Sequence, residues 1–251
     1  GDSSAIIVNE ESWMRRGGEA VDRVLLVEDD ASIAEIVRYY LSQSGQYEVD
    51  VAQNAAGALE RVGEGGQYDV ILLDIMLPDV DGVELCAQLR ESLYCPIIFI
   101  SCIDGEETII RALRMGGDDY LVKPFTCEML QARMEANLRR MRGGRGGGVL
   151  SFPSFELDRA GHAIVRNGER KGLSPIEFNL LEFFLQHPNQ NFSLSVLYES
   201  IWGRPSLGDV RTVMVHIHNL RKKIEDDPNA PVYLKSTRGG GYLFCPQGEE
   251  K

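Results

Sequence analysis

The sequence predicts a doubly wound parallel α/β domain followed by a smaller α+β domain, and three observations carry that reading. Its 251 residues suit two domains at ~100–200 residues each. Residues 22–142 alternate short apolar runs with amphipathic stretches, the pattern of a parallel sheet wrapped by helices. Finally, five glycines fall within the seven residues Arg142–Gly148, a composition that holds neither helix nor strand and reads as a flexible linker. The expected organisation is a lead-in over residues 1–22, a first domain over 23–142, a linker over 143–148, a second domain over 149–246 and a tail over 247–251. Because Met14 stands shortly before the first strand pattern, residues 1–13 read as a non-native extension, a native extension being the alternative.

Apolar residues at 43% and charged residues at 25% are ordinary for a globular chain and exclude wholesale disorder. The longest apolar runs, such as Val70–Leu73 and Pro96–Ile100, are strand-sized, far below the ~18 residues of a membrane span. The five cysteines, Cys86, Cys95, Cys102, Cys127 and Cys245, contain no CxxC pair. Neither a zinc ribbon nor a disulfide scaffold is expected, and a reducing cytoplasm is the simplest compartment. Charge is unevenly divided: residues 1–142 hold 13 Lys/Arg against 26 Asp/Glu, and residues 143–251 hold 13 against 12. The acidic balance argues against nonspecific coating of nucleic acid while leaving room for a basic element in the second half.

Strands are predicted at Arg23–Val27, Glu48–Ala52, Asp69–Leu73, Pro96–Ile100 and Tyr120–Val122. Between the first two, Ile33, Ile36, Val37, Tyr40 and Leu41 recur at the spacing of one helix face. Five βα units fit, and in the flavodoxin-like strand order 2-1-3-4-5 function collects at the carboxyl ends of the strands, where the order reverses. Glu28 and Asp29 close the first strand and Asp74 the third, so three carboxylates converge. Left uncompensated they repel, and a hard divalent cation with oxygen ligands, Mg²⁺, resolves the conflict. Alternatively the acids cap helices, as expected of Asp30; for any single acid the two readings are evenly matched. Ser101 and Lys123 at the ends of the fourth and fifth strands break the tie. A carboxylate nucleophile, a metal, a hydroxyl and an ammonium around one point are the parts needed for phosphoryl transfer to Asp.

The stretches Val27-Glu-Asp-Asp30, Leu72-Leu-Asp74-Ile-Met-Leu-Pro78, Ser101 and Gly117-Asp-Asp-Tyr-Leu-Val-Lys-Pro-Phe125 resemble the receiver domain of two-component response regulators over about residues 23–141. The resemblance implies that Asp74 accepts phosphate from a histidine kinase. It implies that Glu28, Asp29, Asp74 and the Met76 carbonyl hold Mg²⁺, that Ser101 and Tyr120 switch on phosphorylation, and that Lys123 contacts the phosphate before a cis Pro124.

After the linker, Val149–Leu157 and Gly161–Arg166 read as short strands, with a hairpin turn at Asn167-Gly168. Ser174-Pro175-Ile176-Glu177 is a capping box with Pro at the first helical position, starting a helix that runs to about His187. A second helix is expected at Leu194–Trp202 and a third at about Val210–Asp226. On the third, Val213, Ile217, Leu220 and Ile224 form the core stripe, leaving Arg211, Val215, His218, Asn219 and Lys222 on the opposite side. That side is either simply solvated or fitted to a major groove: Val215 suits a thymine methyl, Asn219 an adenine edge, and the cations phosphates. His216 and His218 lack partners at ligand spacing and read as surface or interface residues. Tyr233–Phe244 reads as a hairpin whose turn offers Arg238 to a minor groove.

Leu173-Ser-Pro-Ile-Glu-Phe178, Val215-His-Ile-His-Asn-Leu-Arg-Lys-Lys223 and Ser236-Thr-Arg-Gly-Gly-Gly-Tyr242 resemble the winged helix-turn-helix effector of the OmpR/PhoB family over about residues 150–245. The resemblance implies a phosphorylation-activated transcription regulator rather than an enzyme. Its partners would be a sensor histidine kinase, direct-repeat operator DNA, RNA polymerase and a second copy of the chain. It implies DNA contacts from Arg211, Thr212, Val215, His218, Asn219, Lys222, Lys223 and Arg238, although Asn219 stands where relatives often carry Arg. It also implies receiver dimerisation through Asp118 with Arg140 and Asp119 with Arg133, the third pair being apolar here, Ile109 with Met129. Two other readings compete: a phosphorylation-independent or redox-tuned regulator using Cys102, and a free-standing aspartate phosphatase or phosphotransferase.

Overall fold

The computed structural model describes residues 21–143, 148–202 and 211–248, without the side chains of residues 140, 142 and 143. The expected N-terminal extension, most of the linker and Val210 lie outside the described residues. In the first domain β1 (Asp22–Val27), β2 (Tyr47–Ala52), β3 (Val70–Leu73), β4 (Ile97–Ser101) and β5 (Asp119–Val122) alternate with α1 (Ala31–Gln43), α2 (Ala55–Gly63), α3 (Gly82–Arg90), α4 (Glu106–Arg114) and α5 (Cys127–Gly143). All strand pairs are parallel, in the order β2-β1-β3-β4-β5. The inner strands β1, β3 and β4 bury both faces, so each reads as an apolar run, whereas the edge strand β2 alternates and leaves Glu48 exposed. The order therefore reverses beside β1 and β3, which bear Glu28, Asp29 and Asp74 at their ends.

The five strands fall within one residue of their expected bounds at either end. The helix face of α1 needs a correction, because Ile36 is exposed while Ala34, Val37 and Leu41 are buried. At about 100° per residue Ile36 points away from that trio, and the small Ala34, overlooked among larger apolar neighbours, belongs to the packed stripe.

The second domain contains β6 (Val149–Ser151), β7 (Glu156–Asp158), β8 (Ala163–Arg166), β9 (Glu169–Gly172), α6 (Pro175–Gln186), β10 (Phe192–Ser193), α7 (Leu194–Trp202), α8 (Arg211–Ile224), β11 (Leu234–Ser236) and β12 (Gly241–Phe244). The single strand expected over Val149–Leu157 is two. Pro153 cannot donate to a ladder, and the chain turns back with the Phe152 N–H donating to the Phe155 carbonyl at 2.8 Å. β9, not foreseen, pairs with β8 across Asn167-Gly168, both of which take positive φ (51° and 78°), the backbone of a two-residue hairpin turn. Ser174 and Glu177 complete the capping box at the start of α6. Val213, Ile217, Leu220 and Ile224 of α8 are buried in one cluster with Phe178, Phe184, Trp202 and Phe244.

Candidate phosphoacceptor pocket and DNA-reading surface

At the end of β1 the buried Glu28 is followed by the exposed Asp29, and Asp74 follows β3, 4% exposed. One carboxylate oxygen from each of the three lies within 4.8 Å of the others. Asp30, expected as a helix cap, is one: its carboxylate accepts from the N–H groups of Ser32 at 2.8 Å and Ile33 at 3.2 Å. The cluster is compensated by Lys123, whose Nζ donates to Glu28 Oε2 at 2.7 Å and Asp74 Oδ2 at 2.6 Å. Burial pushes Glu28 toward the protonated form; Lys123 opposes this, while the charge of Asp74 adds to it. Burial alone would lower the Lys123 pKa, yet its hydrogen bonds to Asp74 and Glu28 outweigh that and raise it. The Lys123-Pro124 bond is cis.

The loop after Asp74 is held from inside the site. The Met76 N–H donates to Asp74 Oδ1 at 3.0 Å, and Gly82 donates its N–H to the Ile75 carbonyl at 2.8 Å. A Cβ on Gly82 would fall 2.0 Å from the Asp74 carbonyl oxygen, so only glycine lets α3 start this close to Asp74. Ser101 ends β4 fully buried. Tyr120, in the middle of β5, is nearly buried and donates its hydroxyl to the Ile103 carbonyl at 2.6 Å. Burial pushes its phenol up to about 12, although a hydrogen bond with Ser101 works against the shift. Glu28, Asp29, Asp74 and Lys123 thus meet at one edge of the sheet, with Ser101 at the end of β4 hydrogen-bonded to Tyr120.

In the second domain α8 lies over the core with Arg221 tying it to the hairpin: its Nε donates to the Leu234 carbonyl at 2.9 Å, and its guanidinium stacks 5.5 Å from the Tyr242 ring. Arg238 in the β11–β12 turn and Lys222 on α8 are both exposed. Lys223, by contrast, is turned inward to Glu177 and the Gly172 carbonyl.

The receiver family, "Response regulator receiver domain", matches residues 24–135, and "Transcriptional regulatory protein, C terminal" matches residues 168–244. The chain is 38% identical over 224 residues to the DNA-binding response regulator MtrA of Mycolicibacterium paratuberculosis, covering 89% of this chain and 98% of that protein. The chain belongs to the OmpR/PhoB-type DNA-binding response regulators. It is 34% identical to the transcriptional regulatory protein YvrH of Bacillus subtilis, over 91% of this chain and 97% of that one. A solved RitR variant superposes with a TM-score of 0.74 at 26% identity, over 90% of this chain and all of its own.

How the regulator's two domains meet could not be read from either motif set. α8 packs on α4: Val215 and Asn219, expected to read bases, are each only 7% exposed, and Asn219 Nδ2 donates to the Leu113 carbonyl at 3.2 Å. Arg211 pairs with Glu106 at 2.6 Å. Asp118, fully buried, is bonded by Arg90 and by the Ile97 N–H, and its other oxygen accepts the Ile176 N–H at the start of α6 at 3.1 Å. Tyr94 of the receiver stacks on His162 of the effector with ring centroids 3.9 Å apart.

This arrangement also occupies the expected dimer face. Arg133 holds both oxygens of Asp119 within one chain, at 2.8 and 2.9 Å, rather than reaching across an axis, since β5 and α5 are adjacent. Ile109 is partly buried against the receiver's own core, whereas Met129 is 46% exposed; Arg140 lies outside the described side chains. Tyr94 and His162 gave no signal in the sequence, because their stack exists only where the domains touch; Arg90 gave none because its partners, Asp118 and the carbonyls of Cys95 and Gly116, are brought to it only by the receiver's fold. Cys86 and Cys95 are buried, which pushes their thiols up to about 12 and leaves no thiolate for redox chemistry, and no described contact gives Cys102 a redox partner.

Proposed function

We propose that a histidine kinase phosphorylates Asp74, and that this phosphorylation converts a closed chain with a covered recognition helix into a DNA-binding dimer. The observation that carries the reading is the buried Asp74 with Glu28 and Asp29 around it and the Lys123 ammonium at 2.6 Å. In the reaction an Asp74 carboxylate oxygen bonds to phosphorus as the phosphorus–nitrogen bond of the phosphohistidine donor breaks. Lys123 is placed to neutralise a phosphoryl oxygen, and the Ser101 hydroxyl to donate to another. Withdrawal of Ser101 toward the phosphate gives Tyr120 room to turn inward. The all-oxygen donor set fits a small hard cation: Glu28, Asp29, Asp74 and the Met76 carbonyl would hold Mg²⁺, which supplies charge neutralisation at the phosphoryl group.

Release of α8 from α4 then frees Arg211, Thr212, Val215, His218, Asn219 and Lys222 for a major groove, with Arg238 in the adjacent minor groove and Lys223 near the backbone. Freed receiver faces pair through Asp118, Asp119, Arg133 and Arg140 with the Ile109–Met129 contact, on direct-repeat operators where RNA polymerase is recruited. The test is binding of the full chain to a direct-repeat duplex with and without acetyl phosphate and Mg²⁺. Affinity should rise only with phosphorylation; equal affinity in both states overturns the reading.

A further inference from the structure

His216 sits on α8 at the joint between the domains, 1% exposed, with no hydrogen-bond partner for either Nδ1 or Nε2 among the described residues. The Trp202 ring of α7 lies 5.7 Å away. The charged groups that face it are Asp118 and Asp119 from the receiver, Glu177 from α6 and Lys223 from its own helix. Every one of those carboxylates is already engaged: Asp118 by Arg90 and two backbone N–H groups, Asp119 by Arg133, Glu177 by Lys223 and the Ser174 N–H. Among the described residues no acid is left over to pair with an imidazolium there, and the side chain is shut off from water.

We propose that His216 is a proton-operated latch: protonation of its imidazole drives α8 away from the receiver, so that acidification opens the regulator without phosphorylation. The proposal rests on the closed form being the inactive one. A buried imidazole with no acceptor for either N–H carries a heavy desolvation cost when charged. Parting α8 from α4 and β5 opens its receiver-facing side to water. Burial pushes the His216 pKa down in the closed form, against the weaker pull of Asp118, Glu177 and Asp119. A closed-form pKa below the open-form one leaves closure at full strength above the open-form value, and closure weakens as pH falls beneath it. With an open-form pKa of ~6.5, the open population rises by up to about tenfold at pH ~5.5.

The Ile176 amide reports this directly, because at the second position of α6 it has no intrahelical acceptor and its partner is Asp118 of the other domain. Its hydrogen exchange in the full-length unphosphorylated chain, corrected for intrinsic pH dependence and referenced to the Leu72 amide in β3, should lose up to about tenfold in protection between pH ~7.5 and ~5.5. His216→Phe, which keeps a neutral ring, should reduce that loss to twofold or less; His216→Gln serves if the Phe variant does not fold. An equal loss in wild type and variant, no loss in wild type, or a parallel loss at Leu72 overturns the latch. Direct-repeat DNA affinity is measured beside it: opening without a gain in affinity upholds the latch and breaks the reading that closure is inhibitory.

Discussion

The pocket around Asp74 and the outer face of α8, to which the proposed function gives phosphorylation and DNA readout, are built in opposite ways. In the pocket the buried charged groups are partnered within one domain: Lys123 reaches both Glu28 and Asp74, and the Met76 N–H holds Asp74. On α8 the groups suited to DNA are held by the other domain, Asn219 by Leu113 and Arg211 by Glu106. Chemistry at a strand edge needs only a correct sheet, so it is ready before any signal. Readout needs a domain rearrangement, so it can be withheld.

The sharpest way to break the first side of the comparison is Asp74→Asn, which should abolish acid-labile, Mg²⁺-dependent labelling by acetyl phosphate, because an amide cannot attack phosphorus. Undiminished labelling would mean that another acid, with Asp30 the nearest candidate, is the acceptor. Next in size is Gly82→Ala. The added carbon would fall on the Asp74 carbonyl, so thermal unfolding should show a loss of about 2 kcal/mol or more, with slowed phosphorylation. A variant that melts like wild type would show that α3 can retreat without disturbing the acceptor.

On the readout side, Asn219→Ala should relax base preference at one operator position by about 1–3 kcal/mol, while Lys222→Ala weakens all sequences alike and flattens the salt slope. Arg238→Ala should weaken binding mainly at A·T-rich flanks. If titrations with matched and mismatched duplexes give wild-type values for all three, α8 is not the reading element. Tyr94→Ala removes the ring stacked on His162, a contact of the kind worth about 0.5–1.5 kcal/mol. It should raise the DNA affinity of the unphosphorylated chain several-fold and leave the phosphorylated chain unchanged; a loss in both states would show that the stack supports the effector rather than closure. The smallest effect is expected at the receiver dimer, where Ile109 and Met129 replace a rim ion pair worth ~0.2–1 kcal/mol. Sedimentation of the phosphorylated chain should show dimers that persist in high salt and weaken with Ile109→Glu, and salt-labile dimers indifferent to that substitution would refute the apolar pair.

Much of this was legible in the chain itself. The sheet, its order and the pocket follow from short apolar runs ending in Glu28, Asp29, Asp74, Ser101 and Lys123, because parallel strands place their carboxyl ends together. The core stripe of α8 and the capping box at Ser174 follow from helical periodicity and from the geometry of the first turn, both local properties. The side on which a helix packs, and the contacts between the two domains, were not legible. The exposed Ile36 and the buried Ala34 differ only in which side of α1 meets the sheet, and periodicity leaves the centre of a stripe uncertain by about a residue. Asp118 and Asp119, expected to face a second copy, are engaged with Ile176 and Arg133 of their own chain, and Val215 and Asn219, expected to face DNA, are covered by α4. A helix face suited to a groove and one suited to another helix are written with the same residues. Which of the two α8 serves in this structure was decided by the docking of one domain on the other, through burial and hydrogen bonds that no local pattern encodes.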